Sequence, residues 1–400
     1  MKKFWIISEL FHPDEVSTGY VMTRLAQKLS HEVDIGVICG PIHDLKILTS
    51  KDKLEDEIQV LRTGFRISGS KKLPVRLFNI FFLCIAISMK VLIHTRKGDK
   101  VIMVTNPPIL VPFLSFLKKI KNFELNIIVH DVFPENAIAV GILKKSSIIS
   151  KFLKFLYNKS YQTSKKLVVV GEDMLDVFKE KIGDREIPMK VITNWADHLQ
   201  IYPLPNQSIS SYYNKNLDDK VVLQFAGNIG RVQGLEQLFD LMIKVNNQNF
   251  SIMMIGNGAF QPLLYQKKLD HDLDHIHFCG EKPRDEQITF LNACHISIIT
   301  LHQGMFGLGV PSKVYNVLAA GKPILYLGDR DSEISRYIKE YDVGWSFSWE
   351  QEDEIIQFFE DLSLEFLPKF GVKGKNSRRL AEEKFNESLI LDTYSNFLQN

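Results

Sequence analysis

Cysteine is scarce in this 400-residue chain, which has only four, and none of them forms a Cys-x-x-Cys pair. No group of histidines accompanies them at the spacing of a metal site. A disulfide framework and a structural zinc site are therefore not expected, and a reducing compartment is the simplest interpretation. We predict that the chain holds no metal.

Long hydrophobic runs are also missing. The most apolar stretch, RLFNIFFLCIAISMKVLIH at residues 76–94, is interrupted by Asn79, Ser88 and Lys90. It falls short of the roughly 20 apolar residues that a membrane-spanning helix needs, so we interpret it as a buried or membrane-grazing helix. The opening MKKFWIISEL has an apolar run of only about five residues, which predicts a first strand and not a signal peptide.

Charge is balanced overall but divided between the two halves of the chain. Residues 1–200 carry 30 Lys and Arg against 21 Asp and Glu, a net of +9, and residues 201–400 carry 19 against 26, a net of −7. This division indicates that one domain faces an anionic surface or substrate. Chance variation and solvated faces are the alternative. With 45% hydrophobic and 24% charged residues, the chain is of globular type.

Short β-rich runs alternate with helical patterns, for example over residues 18–30, 75–94 and 148–164, which is typical of βα units around parallel sheets. Residues 194–211 are rich in Pro, Asn and Ser and read as a linker. We therefore expect an α/β protein with two Rossmann-like, doubly wound domains facing across a cleft. The domains are residues 1–196 and 197–374, and a last helix over residues 375–400 returns to the first domain. In such sheets ligands bind beyond the carboxyl ends of the strands.

Glycines mark three strand-to-helix junctions of the second half: FAGNIGRVQGLEQL at 225–238, MMIGNGAFQPLL at 253–264 and FCGEKPRDEQITFL at 278–291. Such loops let backbone N–H groups approach an anion, although each alone is also explained as a tight turn. The ligand-binding candidates here are Gly227, Asn228, Gly230, Arg231, Gly256, Asn257, Gly258 and Glu281.

The stretch GMFGLGVPSKVYNVLAAGKPILYL at 304–327 puts a lysine in an unfavourable place. Pro311 suits the first turn of a helix, so Lys313 would lie in that turn, where the helix dipole disfavours a cation. A bound diphosphate would supply an anionic partner; an exposed surface lysine is the alternative. Asn316, three residues later, would reach the same ligand or cap a backbone group. Gly309 and Ser312 complete this set of candidates.

Candidates in the first half also follow strands. Ser17, Thr18 and Gly19 begin a helix and are suited to receive an anion. His130 and Asp131, in IIVHDVFPENA, come directly after a strand, where a histidine either donates to a substrate oxygen or packs in the core. Asn194 lies at the domain junction and is a hinge residue or a ligand contact.

Taken together, these segments resemble the GT-B glycosyltransferases of family 4, in particular the branch that builds bacterial capsule and O-antigen repeat units. The motifs HDVFPENAIAVGIL, VITNWAD, FAGNIGRVQGLEQL and GLGVPSKVYNVLAAGKPIL carry the resemblance, in the order the family has them. It implies a retaining, metal-independent enzyme without a cofactor. The enzyme would move a sugar, N-acetylated or deoxy, from a UDP-sugar to a glycan on a polyprenyl diphosphate. No nucleic acid partner is implied.

The resemblance also implies roles for the candidates. His130, Arg231 and Lys313 become catalytic, the two cations by stabilising the leaving diphosphate. Ser17, Thr18, Asp131 and Asn194 face the acceptor, and Gly19 joins the candidates of the second half in binding the donor. The family's glycine-loop Arg and Lys are Asn228 and Gln233 here, and its paired-Glu motif is absent, with Asn316 at the second position. A non-catalytic nucleotide-sugar-binding homologue and a UDP-sugar 2-epimerase remain alternatives.

A membrane partner follows from the basic first half. The apolar helix around residues 78–89 and the segment KKSSIISKFLKFLYNKSYQTSKK at 144–166 combine aromatic residues with lysines. Each Lys or Arg near an anionic leaflet contributes about 1 kcal/mol. We therefore expect a cytoplasmic protein that associates peripherally with the inner membrane.

Overall fold

The chain folds into two compact units. The computed structural model describes residues 2–14, 17–42, 54, 58–64, 73–205 and 207–400. Unit 1 comprises Met1–Ile138, Leu143–Thr193 and Ile390–Asn400, and unit 2 comprises Ala139–Ile142 and Asn194–Leu389.

Unit 1 is built on a parallel sheet that has seven strands in the described residues, in the order β3-β2-β1-β4-β5-β6-β7. The strands are β1 Phe4–Ser8, β2 Ile35–Cys39, β3 Gln59–Arg62, β4 Lys100–Val104, β5 Glu124–Val129, β6 Lys166–Val169 and β7 Met189–Val191. The central strands β1, β4 and β5 read as almost continuous apolar runs, because helices cover both faces of such a sheet.

The helices of this first part of the chain connect the strands. They are α1 Ser17–Ser30, α2 Leu73–His94, α3 Leu110–Lys121, α4 Glu135–Ala139, α5 Ile148–Tyr161 and α6 Glu172–Ile182. α5 begins at a serine cap, where the Ser147 hydroxyl oxygen accepts a hydrogen bond from the Ser150 N–H at 3.1 Å. Within the described part of the chain, no helix combines the length and the apolar character that crossing a membrane requires.

Unit 2 contains a second parallel sheet, six-stranded in the described residues, in the order β10-β9-β8-β11-β12-β13. Its strands are β8 Val221–Ala226, β9 Phe250–Ile255, β10 Ile276–Gly280, β11 Ile296–Thr300, β12 Ile324–Gly328 and β13 Gly344–Ser348. Its helices are α7 Ile209–Tyr213, α8 Leu235–Met242, α9 Gln261–Asp270, α10 Gln287–Asn292, α11 Lys313–Ala319, α12 Glu333–Tyr341, α13 Glu352–Glu360, α14 Leu367–Glu383 and α15 Glu387–Gln399, which ends in unit 1. The expected α/β class and doubly wound, two-domain architecture are confirmed.

The unit boundaries differ from the expected ones at both ends of unit 2. Unit 2 begins at Asn194 instead of residue 197, and of residues 375–400 only Ile390–Asn400 belongs to unit 1. The reason lies in Arg378 of α14. Its guanidinium donates to the carbonyl oxygens of Ile201 and Ala319 at 2.8 Å and of His198 at 3.0 Å. These bonds tie α14 to α11 and to the linker, so α14 stays in unit 2.

Lysines hold the carboxyl end of α15 on unit 1. The Lys166 ammonium donates to the Phe397 carbonyl at 2.6 Å, and Lys100 donates to the carbonyls of Leu398 and Gln399. The last carbonyls of a helix have no partner within the helix, and cations are favourable there. Burial lowers the pKa of both lysines. These contacts explain why the last eleven residues leave unit 2.

Removing one of these donors is expected to weaken the docking of α15. We predict that Lys166→Met lowers the free energy of unfolding by about 1–3 kcal/mol, because a hydrogen bond from a charged donor is lost. Lys190→Met is the control, since the exposed Lys190 lies 6.0 Å from the Phe397 ring centroid and donates to no carbonyl there; it should change stability by less than about 0.5 kcal/mol. Urea unfolding of the full chain measures both. Equal effects would contradict this account of the docking.

Candidate functional site in unit 2

A cavity of about 350 Å³ lies at the carboxyl ends of β8 and β9, beside β11. β8 has β9 on one side and β11 on the other, so the strand order reverses here. This is the position where open α/β sheets bind ligands. The lining residues are Ala226, Gly227, Asn228, Ile255, Gly256, Asn257, Glu281, Lys282, Gln287, Phe290, Leu291, Ser297, Ile298, Lys313 and Val317.

Two glycines shape one side of this cavity. Gly256 has a φ of +128°, and a Cβ there would lie 1.9 Å from the carbonyl oxygen of Gly227. A side chain is therefore excluded by both conformation and space. The Gly227 N–H donates to Ile255 O at 2.9 Å, and the Gly256 N–H donates to Gly280 O at 2.8 Å. These two N–H groups extend the pairing of the strands.

Lys313 is the first residue of α11, as the sequence predicts, and its side chain lines the cavity. Its Nζ is buried and has no hydrogen-bond partner among the described residues. It lies 3.5 Å from the centroid of the Phe225 ring. Burial lowers the pKa of Lys313 to about 7. The cavity thus contains a buried lysine amine that forms no ion pair with any described residue.

The remaining lining is mixed in polarity. Glu281 and Lys282 are exposed at the mouth, and Gln287 is half-buried. Phe290, Leu291 and the aliphatic residues form an apolar wall. Such a cavity suits a ligand that combines an apolar or planar portion with an anionic group. Of these residues, the sequence candidates included Glu281. They did not include Lys282, Gln287, Phe290 or Leu291, although these four lie in the same quoted segment, FCGEKPRDEQITFL.

Arg231 does not join Lys313 at the cavity. It begins a short 3-10 helix, Arg231–Gln233, and its exposed guanidinium lies 5.3 Å from the Phe260 ring centroid. One of its nitrogens donates to Val140 O at 3.4 Å. A guanidinium at this distance from a ring face makes a cation–π contact. Arg231 is therefore not among the residues that line the cavity with Lys313.

The other glycine-loop candidates divide into two groups. Asn228 and Asn257 line the cavity, whereas Gly230 and Gly258 do not. The Ile229 N–H donates to Asn257 O at 2.9 Å, and a Cβ on Gly258 would lie 2.2 Å from Ile229 O. The loops after β8 and β9 therefore pack directly against each other, and Gly258 serves this packing.

Asn316 and the loop before α11 also lie off the cavity. The Asn316 side-chain oxygen accepts from the Asp197 N–H at 3.1 Å. Of its two predicted uses, the backbone cap is the one observed. Gly309, Pro311 and Ser312 are half-buried and are not among the lining residues.

Unit 1 places His130 and Asp131 directly after β5. Both backbone N–H groups donate to Thr105 Oγ1, at 3.1 and 3.2 Å, which fixes the loop against the end of β4. The His130 Nε2 is buried and has no hydrogen-bond partner in the described part of the chain. Burial lowers the pKa of His130 to about 4, so its imidazole is neutral at pH 7. Desolvation by the surrounding protein raises the pKa of Asp131 to about 6.

The remaining candidates are placed as follows. Thr18 is half-buried in the first turn of α1, and the Ser17 side chain lies outside the described residues. A Cβ on Gly19 would lie 2.4 Å from the Asp14 carbonyl oxygen, so close packing accounts for this glycine. Asn194 belongs to unit 2 and is buried, and its side-chain oxygen has no hydrogen-bond partner among the described residues.

The two parallel sheets and the cavity at the point of strand reversal define a two-domain α/β protein of the GT-B fold. Comparisons with known proteins agree. The family model "Glycosyl transferases group 1" matches residues 207–365. The "Probable glycosyltransferase WbjE" of Pseudomonas aeruginosa is 30% identical over 391 residues, which cover 96% of this chain and 97% of that protein. The chain therefore belongs to the group 1 glycosyl transferases.

Solved structures share the fold at low identity. The sucrose-phosphate synthase of Thermosynechococcus elongatus aligns with a TM-score of 0.78 at 11% identity, covering 100% of this chain and 98% of that one. Alr3699/HepE of Anabaena, solved in complex with UDP-glucose, aligns with a TM-score of 0.73 at 13% identity, with full coverage of both chains.

Proposed function

We propose that this glycosyltransferase moves a hexose-type sugar from a UDP-sugar to a glycan carried on a polyprenyl diphosphate, in the synthesis of a bacterial surface polysaccharide. It would belong to the family 4 branch that builds capsule and O-antigen units, and it would retain anomeric configuration. The buried Lys313 ammonium, facing the cavity without an anion, is the observation that carries the donor assignment.

The cavity chemistry supports a nucleoside diphosphate as the donor's common part. The apolar wall around Phe290 and Leu291 offers a surface for the nucleoside, and Lys313 offers a cation for the diphosphate. An anion beside a lysine favours its charged form, so donor binding would raise the pKa of Lys313 above about 7. The UDP-glucose bound by the Anabaena protein of the same fold supports this ligand class.

The same lysine supports a metal-independent mechanism. Breaking the bond between sugar and phosphate leaves negative charge on the departing diphosphate. A cation already positioned in a water-poor site stabilises that charge strongly, because little reorganisation is needed. Lys313 is therefore proposed as the group that assists departure of UDP. Arg231, exposed and near the Phe260 ring, is proposed as a second cation for the leaving diphosphate.

The acceptor-side roles are proposed for residues of unit 1 and the start of unit 2. The neutral His130 imidazole offers a free Nε2 to a substrate hydroxyl. Asp131 follows it on a loop anchored to Thr105 and has a raised pKa. Thr18, Ser17 and Asn194 are proposed as further contacts.

Nucleotide binding tests the donor assignment. We expect UDP to bind the wild-type protein and Lys313→Met to weaken that binding about 10- to 100-fold, because one charge-assisted hydrogen bond is lost. Isothermal titration calorimetry with UDP and with uridine measures this, and uridine binding should be unchanged.

Lys282→Met is the matched control, since Lys282 lines the same cavity but is exposed. Its effect on UDP affinity should stay below about threefold. Equal losses in both variants would contradict a special role for Lys313. Conversion of a UDP-sugar in the absence of an acceptor would indicate an epimerase instead of a transferase.

A membrane-docking face is proposed on helices α2, α3 and α5 of unit 1. The Phe81 and Phe113 rings join α2 to α3 at 6.1 Å, and the Ser115 and Thr163 hydroxyls join α3 to the end of α5 at 2.9 Å. The exposed apolar side chains on these helices are Phe78, Phe81, Phe82, Met89, Leu92, Ile93, Phe116, Ile120, Ile148, Ile149, Phe152 and Phe155. Exposed lysines at 119, 144, 145 and 151 lie on or beside the same helices. Apolar residues interleaved with lysines fit an anionic lipid surface.

Liposome binding tests this surface. We expect the protein to co-sediment with vesicles containing anionic phosphatidylglycerol at low salt, and less at 0.5 M salt, because screening weakens surface charges. The variant Phe152→Ser/Phe155→Ser should lose most of the binding. Leu263→Ser/Tyr265→Ser, which removes two exposed apolar residues of α9 in unit 2, is the control. Binding that is absent, or equally weakened in both variants, would contradict the proposed face.

A further inference from the structure

The Phe225 ring lies against the buried ammonium of Lys313. Phe225 lies in β8, one residue before the strand ends, and its side chain is fully buried. The 3.5 Å from the Lys313 Nζ to its ring centroid is short for such a contact. The other cation–ring contacts between described residues range from 4.5 to 6.0 Å.

The ring is also the feature that favours the charged form of Lys313. A lysine side chain is flexible, and its ammonium is strongly hydrated in water. Here Nζ has no hydrogen-bond partner in the described residues, and burial disfavours its charge. The face of an aromatic ring is electronegative and attracts a cation, most strongly when the cation is removed from water.

An aromatic ring and a carboxylate differ in whether they leave the N–H donors of the ammonium available to a ligand. A carboxylate beside Lys313 would neutralise its charge and accept its hydrogen bonds. A cation–π contact holds the ammonium and leaves its N–H donors open to another acceptor. Gly227 adds room on another side, since a Cβ there would lie 3.7 Å from Nζ.

We infer that Phe225 is a positioning residue for sugar transfer: its ring holds the Lys313 ammonium, with free donors, at the place where the donor's diphosphate binds. The inference rests on the proposed donor site. Phe225, near the end of β8, would then have a functional role in addition to packing in the hydrophobic core.

The affinity for UDP tests this role. We expect Phe225→Leu to weaken UDP binding about tenfold at pH 7, and Phe225→Tyr, which keeps the ring face, to bind within about twofold of wild type. Uridine affinity should be the same in all three proteins. In a Lys313→Met background, Phe225→Leu should cause no further loss, because the two residues act as one unit.

A second readout separates positioning from simple packing. Titration of ligand-free protein by NMR of isotope-labelled lysine reports the pKa of Lys313 directly. Removal of the ring should lower that pKa by about one unit in Phe225→Leu and leave it near wild type in Phe225→Tyr. Glu281 and Lys282, the other charged residues lining the cavity, are the same in every variant. Pentafluorophenylalanine at position 225 reverses the polarity of the ring face at similar shape, and it replaces the leucine variant if that protein unfolds.

The outcomes are distinguishable from failure of the proposed function. If wild-type protein does not bind UDP, the donor site is wrong, and with it the diphosphate part of this inference. If wild-type protein binds UDP and Lys313→Met does not, but Phe225→Leu or the fluorinated variant has unchanged affinity and an unchanged lysine pKa, the inference alone is overturned.

Discussion

A buried ammonium without an anion is the constraint on which the rest of the site depends. Taking a charge out of water is costly, and proteins usually pair it or let it lose its proton. The Lys313 ammonium lies over the face of Phe225 and has no hydrogen-bond partner among the described residues, and burial brings its pKa to about 7. Such an arrangement costs stability, and an anionic ligand bound beside the lysine would offset that cost.

The surrounding structure keeps that lysine in place. The reversal of strand order at β8 opens the cavity, and the tight approach of Gly256 to Gly227 sets its side at the ends of β8 and β9. At the other end of α11, Arg378 donates to the Ala319 carbonyl and joins that helix to α14. The carboxyl end of the helix that begins with Lys313 is therefore fixed, which suits a group that must act without rearrangement.

The sequence predicted the fold well, because alternating βα patterns are local. The helix expected over residues 148–164 is α5, Ile148–Tyr161, and the one expected over 75–94 is α2, Leu73–His94. Lys313 was also found from sequence, since a cation in a first helical turn is locally unfavourable. The sequence placed the return of the chain to the first domain at residue 375, whereas it begins at Ile390. The reason is that Arg378 binds carbonyls more than 50 residues away, in α11 and the linker.

Other features of the site depend on contacts between distant segments. Arg231 follows a glycine in a loop that suits an anion. In the structure, however, its guanidinium lies near the ring of Phe260, 29 residues later. Phe225 and Lys313 are also far apart in sequence, and an apolar residue at a strand end looks like ordinary core. Gly227 and Gly256 were singled out from the sequence, and in the structure they approach each other closely while their N–H groups pair with backbone carbonyls.

The most direct measurement is a crystal structure of the protein with UDP bound. We predict that the diphosphate lies in the cavity at the end of β8, with a phosphate oxygen about 2.7–3.2 Å from the Lys313 Nζ, and that the ammonium remains over the Phe225 ring. A diphosphate bound at the Arg231 loop, with Lys313 still without an anion, would contradict the account.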